Sequence, residues 1–431
     1  VTTSNRLRRS VALYSPGWPP GHVSNGIVTY VGHLRPALER LGTDTTVLTS
    51  HEAAPSASPA IDVSKLRRPR TRDLALRAAG KLPRFATPGL RLGWAIAQAA
   101  NDVAARRRLD LLEMEESFGA AWYVQQAIDA PVVVRLHGPK FLNAAALGTA
   151  TGDEFQRVVE AERVCITEAV GVTSPSREVL ERTRQHYGLP LSDARVIHYP
   201  GPIIPAERQW TYENCDKKSI LFVGRFDRHK GGDVIINAFR DLAAALPDIA
   251  LQFVGPDRGF VDDQGRTHRL VEFLDANLPA AARARVHVHG ELPADRIEGL
   301  RRQARVTVVP SRYETFGFTV AEALAYACPT VAADSGGIPE VLLGDRTGLL
   351  FKPGDPADLA AKIRVLWDNP QRAADFGRAG ARDTATRLDP DTIARASLEY
   401  YETLWAKRAW RAPVTPRSTL GRLAFAATSL V

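Results

Sequence analysis

Twice along this 431-residue chain, short and almost wholly apolar runs alternate with stretches of helical period, and one region without either pattern separates the two series. Nothing else in the sequence limits the fold so strongly. In the first series Val11-Ala-Leu-Tyr14, Thr45–Thr49, Leu109–Leu112, Val132–Leu136, Ala169–Thr173 and Arg195–His198 read as strands. In the second, Ile220-Leu-Phe-Val223, Leu251–Val254, Val286–Val288, Val306–Val309 and Thr330–Ala333 do the same. A strand that is apolar at successive positions has no solvent face, so it belongs in a parallel sheet with helices on both sides. The expected fold class is α/β: two Rossmann-like, doubly wound parallel-sheet domains, each with its own core. Pro200–Lys218 reads as the linker. The domains are then expected over residues 1–205 and 206–389. A helix over about 390–410, carrying Tyr400, Tyr401 and Trp405, is expected to return to the first domain, and 411–431 form a tail without an assigned role. Two such sheets facing one another would leave a cleft at their carboxyl ends.

Composition excludes several classes. Cys165, Cys215 and Cys328 are scattered and odd in number, which argues against a disulfide framework or a zinc site and fits a reducing cytoplasm. No uninterrupted apolar stretch reaches the about 20 residues of a membrane span. Near the start, Arg6, Arg8 and Arg9 precede only the short apolar run Val11–Tyr14, which does not read as a signal peptide. The net charge of +8 implies anionic company. The excess is concentrated between Lys65 and Arg108 and again at Lys407, Arg408 and Arg411. Zinc-finger, RNA-recognition and helix-turn-helix patterns are all missing, so nucleic acid is not the expected partner. The segment 65–108 holds two helical stretches, Leu74–Leu82 and Leu90–Val103. It reads either as an acceptor-side surface for a lipid-linked or anionic acceptor or anionic membrane, or as a helical lid with its arginines in water.

The segment most dense in chemistry is Val309-Pro-Ser-Arg-Tyr-Glu-Thr-Phe-Gly-Phe-Thr-Val-Ala-Glu322. A strand ends at Pro310, a loop carries Glu314, and Phe316-Gly317 opens a helix that includes Glu322. The first amides of that helix, around Gly317, Phe318 and Thr319, form an anion site at the positive end of its dipole. Two carboxylates eight positions apart would diverge by about 80° on one helix. Glu314 instead lies ahead of the helix, so both can face one ligand. A carboxylate accepts two hydroxyl hydrogen bonds at once, which suits the vicinal diol of a sugar. Upstream lies Phe222-Val-Gly-Arg-Phe-Asp-Arg-His-Lys-Gly231. Downstream come Ala333-Asp-Ser-Gly-Gly-Ile-Pro-Glu-Val341 and Thr347-Gly-Leu-Leu-Phe351.

Together these motifs closely resemble the C-terminal half of the family GT4 retaining glycosyltransferases, which have the GT-B fold. The resemblance is dense from Ile220 to Leu366 and looser through the first domain. It implies that Arg225 and Lys230 neutralise the diphosphate of a nucleotide sugar donor, that Glu322 holds the ribose hydroxyls, and that Glu314 lies near the transferred sugar. Phe316 and Gly317 would offer amides to that sugar, and the loop Gly290-Glu-Leu292 would frame the base. His137, ending Val132-Val-Val-Arg-Leu-His-Gly138, looks like the histidine that such enzymes place beside the donor sugar. Gly21-His-Val-Ser-Asn-Gly-Ile27 resembles the family's glycine loop, with Asn25-Gly26 in place of the usual glycine pair. Gly26 is then expected near phosphate, and Asn25 near phosphate or acceptor. Glu113, with Glu115 and Glu116, is expected on the acceptor side.

The resulting expectation is hexose transfer from a UDP-sugar, with retention, to a sugar, lipid-linked or natural-product acceptor. No cofactor is expected, and no Asp-x-Asp motif marks a metal site. The location implied is cytoplasmic, extending to the inner face of the membrane. The rivals are a retaining glycosyl phosphorylase or a nucleotide-sugar isomerase of the same fold, and a non-enzymatic basic membrane binder. A dinucleotide oxidoreductase is disfavoured, because Gly17, Gly21 and Gly26 lack the required spacing.

Overall fold

A computed structural model describes residues 9–23, 25–53, 60–82, 84–147 and 152–407. Arg6 and Arg8, the cations Arg408 and Arg411, and the 411–431 tail lie outside the described residues. The chain divides into unit 1, Val1–Pro200 with Pro390–Val431, and unit 2, Gly201–Asp389.

Unit 1 is built on β1 (Ser10–Ser15), β2 (Asp44–Thr49), β3 (Ala60–Asp62), β4 (Leu111–Glu115), β5 (Val132–Arg135), β6 (Gly171–Ser174) and β7 (Arg195–Val196). They form one parallel seven-stranded sheet in the order β3-β2-β1-β4-β5-β6-β7. Every residue of β1, β4, β5 and β6 is buried, the polar ones of β4 and β6 included. The fourth strand departs most from expectation, and β3 was not expected. The fourth strand starts at Leu111 and runs on through Glu113 and Glu115, whose carboxylates accept from Tyr30 and Tyr401 and from Ser117 respectively. Sequence polarity had suggested that the strand stopped at Leu112. β3 lies on the sheet edge, is three residues long and went unread for that reason.

The helix Pro390–Lys407 belongs to unit 1. Tyr400 Oη accepts the Val172 N–H (2.9 Å), Tyr401 Oη donates to Glu113 (2.8 Å), and Trp405 Nε1 donates to the Asp110 carbonyl (2.8 Å).

Unit 2 contains β8 (Asp216–Val223), β9 (Ala250–Val254), the antiparallel hairpin β10 (Phe260–Val261) and β11 (Thr267–His268), β12 (Val286–Gly290), β13 (Ala304–Val309), β14 (Thr330–Ala333) and β15 (Leu349–Phe351). Apart from the hairpin these make a parallel six-stranded sheet, ordered β12-β9-β8-β13-β14-β15. Phe222, Phe226, Phe239 and Phe253 are fully buried beneath it, with the Phe222 and Phe253 rings 4.5 Å apart. Each such side chain contributes about 1.5–3 kcal/mol by leaving water. The expected linker is shorter than its composition implied, since Asp216–Lys218 already belong to β8. Trp210 also anchors that segment. It is buried beside Cys215, Ala323 and Cys328, and its indole N–H donates to the Ala304 carbonyl at 2.8 Å.

Candidate active site

In unit 2 the chain order reverses between β8 and β13, with β9 and β12 on one side and β14 and β15 on the other. Open α/β sheets bind ligands at the carboxyl side of such a reversal. There the loop leaving β8 and the loop leaving β13 are fastened together. Arg312 donates its backbone N–H to the His229 carbonyl (2.9 Å) and its guanidinium to the two Asp233 oxygens (2.8 and 2.6 Å). Gly231 permits this approach: its φ is +69°, and a Cβ would fall 2.0 Å from the Pro310 carbonyl oxygen.

The fastening brings Lys230 to Glu314, with Nζ 2.5 Å from Oε1. Burial pushes the Glu314 carboxyl up, but Lys230 and His229 outweigh it and hold it below the usual carboxylate range. Asp227 organises the neighbouring cation: one oxygen accepts the Lys230 N–H (2.8 Å), the other the Arg225 Nε–H (2.7 Å). Arg225 remains exposed. A residue three before Lys230 thus orients both basic groups, a role that the motif alone did not reveal.

The helix Phe318–Ala325 starts at Gly317, whose φ of +98° makes the N-cap, and no side chain caps it. Phe316 is buried with its ring 5.5 Å from that of Phe318, and Thr319 lies in the first turn. Glu322 gives one oxygen to Arg301 Nη2 at 2.6 Å. Arg301, on the helix Ala294–Gln303, is fully buried and was also missed, since periodicity counts apolar positions and passes over an inward-turned arginine. Leu292 follows β12, half-buried against the cluster of Leu221, Val254 and Ala304. Unit 2 therefore joins Lys230 directly to Glu314, sets Arg225 on the same loop, and fixes Glu322 through Arg301.

In unit 1, His137 follows β5, and buried carboxylates set its loop. Glu116 accepts the N–H groups of His137 (2.9 Å) and Gly138 (2.8 Å), while Glu162 accepts those of Phe118 (3.2 Å) and Lys140 (2.7 Å). Burial drives Glu116 up to about 7, and it drives Glu115 there too, with the Glu116 charge adding to the effect. Glu162 is pushed well above the carboxylate range by burial and then by Glu116. His137 is moved the other way, well below its ordinary value, by burial and by the Arg135 cation. His137 Nδ1 lies 2.5 Å from Tyr199 Oη.

Glu113 requires correction. It is not an acceptor-side group: its carboxylate sits inside the sheet and accepts from Tyr30 Oη (2.6 Å) and Tyr401 Oη (2.8 Å). Both oxygens are committed to the fold. Asn25 and Gly26 are exposed at the start of the helix Gly26–Arg40, where Asn25 Oδ1 caps the Ile27 N–H at 2.8 Å. In the basic segment most of the apolar side chains turn inward, while Leu74 stands exposed. Leu76 and Ala79 of the helix Arg70–Ala79 are buried, as are Leu90, Trp94 and Ile96 of the helix Thr87–Arg106. Asp73 gathers Arg68, Arg77 and Arg91 at 2.8–2.9 Å, so part of the positive charge is neutralised locally.

Residues 24–200 match the family model described as Glycosyltransferase Family 4, and residues 204–383 match Glycosyl transferases group 1. The chain belongs to glycosyltransferase family 4. This glycosyltransferase is 28% identical over 426 residues to glycogen synthase of Mycobacterium tuberculosis, covering 94% of this chain and 96% of that one. Its two-domain GT-B fold is similar to sucrose-phosphate synthase from Thermosynechococcus elongatus, with a TM-score of 0.67 at 22% identity, covering 93% of this chain and 100% of that one. It is also similar to Anabaena HepE, solved in complex with UDP-glucose, at a TM-score of 0.61 and 17% identity over 92% of this chain and 99% of that one. No helix is long and apolar enough to cross a membrane, and no cluster of three or more metal-ligating side chains occurs, among the described residues.

Proposed function

We propose that this glycosyltransferase moves a hexose-type sugar from a UDP-sugar to a hydroxyl of a sugar, lipid-linked or natural-product acceptor, with retention at the anomeric carbon. The observation that carries the reading is the Lys230–Glu314 ion pair, set at the sheet's reversal point beside an uncapped helix start. UDP is the favoured base, supported by the likeness to a protein solved with UDP-glucose.

Lys230 and Arg225 neutralise the diphosphate as it departs, and the first turn at Gly317, Phe318 and Thr319 adds the positive end of its helix. Glu314 accepts hydrogen bonds from the sugar hydroxyls. Glu322, with one oxygen occupied by Arg301, presents the other to the ribose diol. His137 stands beside the donor sugar, and Leu292 beside the base. The charge on the departing diphosphate is balanced by these protein cations, so the reaction proceeds without a metal ion. The anomeric C–O bond to phosphate breaks, and the acceptor oxygen attacks the same face. A phosphate oxygen takes the acceptor proton.

The test is proton NMR of UDP-glucose turnover in EDTA, with a pool of candidate acceptors. An α-linked product from the α-linked donor, formed at an unchanged rate in EDTA, is expected. A β-linked product, or loss of turnover in EDTA, contradicts the proposal. Glucose 1-phosphate formed from phosphate without nucleotide would establish a phosphorylase instead.

A further inference from the structure

The surroundings of His137 control more than its position. Glu116 holds the backbone at His137 and Gly138. The ring meets Tyr30 edge-on at 5.3 Å and lies nearly parallel to Tyr199 at 5.3 Å. Beneath them Arg135 is fully buried, its guanidinium 4.3 Å from the Tyr30 ring centroid and 5.0 Å from that of Tyr199. Arg135 is itself fixed through Nη2 to the Ile197 carbonyl (2.6 Å) and through Nη1 to Thr173 (3.3 Å). Burial, and after it this cation, oppose a second proton on the imidazole, so the ring stays neutral and carries one N–H.

Which nitrogen bears it is decided by the partner of Nδ1. That partner is the Tyr199 hydroxyl at 2.5 Å. A phenol O–H is a strong donor and a weak acceptor, while an unprotonated imidazole nitrogen is a strong acceptor. The hydrogen bond therefore runs from Tyr199 Oη–H to Nδ1, and the single ring proton is left on Nε2.

We infer that Tyr199 is a positioning residue that locks His137 as the neutral Nε2–H tautomer, so that His137 acts on the donor sugar as a hydrogen-bond donor. The role in transfer rests on the proposed placement of His137 beside the donor, whereas the tautomer does not. Three properties of one ring are thus set separately: its place by Glu116, its charge by burial and Arg135, and its tautomer by Tyr199. Without the phenol, the ring divides between two neutral tautomers, and the fraction protonated on Nδ1 offers the sugar a lone pair in place of a proton.

Two measurements on the full chain test this. Nitrogen-15 spectra with ring-labelled histidine, the His137 signals identified by their loss in His137→Gln, should show protonated Nε2 and unprotonated Nδ1 in the wild type. They should show averaging of the two in Tyr199→Phe. Turnover of UDP-glucose should fall about two- to tenfold in Tyr199→Phe, the range of one lost hydrogen bond. Because Gln places an amide N–H near the position of Nε2–H, His137→Gln should retain part of the activity, and adding Tyr199→Phe to it should cost nothing more. A wild-type ring protonated on Nδ1, or an unaltered spectrum in Tyr199→Phe, overturns the lock. An undiminished cost of Tyr199→Phe in the His137→Gln background also overturns it, since Tyr199 would then act elsewhere. Averaged spectra together with normal turnover in both single variants would uphold the lock and refute the placement of His137 at the donor.

Discussion

The two units use charge in opposite ways. In unit 2 the groups around the sheet's reversal point stand in ion pairs: Lys230 with Glu314, Arg225 with Asp227, Arg312 with Asp233 and Arg301 with Glu322. In unit 1 the acids Glu115, Glu116 and Glu162 are buried and raised, and His137 is lowered. In the first arrangement the cations are held by carboxylates, half-buried at Asp227, Glu314 and Glu322 and buried at Asp233. The second favours the uncharged forms of its groups and acts through hydrogen bonds. The difference teaches where binding energy and orientation arise in this fold. In the proposed reaction the groups that meet a departing phosphate are the charged ones of unit 2.

The sharpest way to break this contrast is Lys230→Ala. It removes a cation from the leaving group and also strips Glu314 of its main partner. Turnover of UDP-glucose should fall about 100-fold or more. The double variant with Glu314→Ala should be little worse than the poorer single one, as expected of groups that act together. Independent, multiplying losses in steady-state kinetics would show that the pair is not one device.

A smaller effect is expected from unit 1. Glu115 is raised from 4.5 to about 7. Its protonated form is favoured in the fold, so its stabilising contribution is full below about pH 4.5 and is lost as pH rises through about 7. The slope is at most about 1.4 kcal/mol per pH unit for one proton. Thermal melts between pH 5 and 8 should show this decline in the wild type and a shallower one in Glu115→Gln. Equal slopes would place the titration elsewhere.

Much of the fold was legible because burial on both faces of a parallel sheet leaves an apolar signature. Ile220–Val223 and Thr330–Ala333 lie wholly in strands, and Thr330–Ala333 matches β14 end to end. The polar start of β8 at Asp216 and the brief edge strand β3 carry no such signature. At the site, Lys230 and Glu314 could be read because the motifs that carry them resemble those of family 4 glycosyltransferases. Their supports could not. Asp227, Arg301, Glu116, Glu162 and Tyr199 act through contacts such as the one between Tyr199 and His137, 62 positions apart. A charged residue turned inward looks, in sequence, like one turned outward, and Glu113 was misplaced for that reason.

The central claim is that unit 2 binds a nucleoside diphosphate through the loop carrying Arg225 and Lys230. Thermal stabilisation by UDP, GDP, ADP and TDP, compared between the wild type and Arg225→Ala, tests it most directly. A clear shift with UDP, lost or strongly reduced in the variant, is expected. A shift with no nucleotide, from a folded sample, or an equal UDP shift in both proteins, would contradict it.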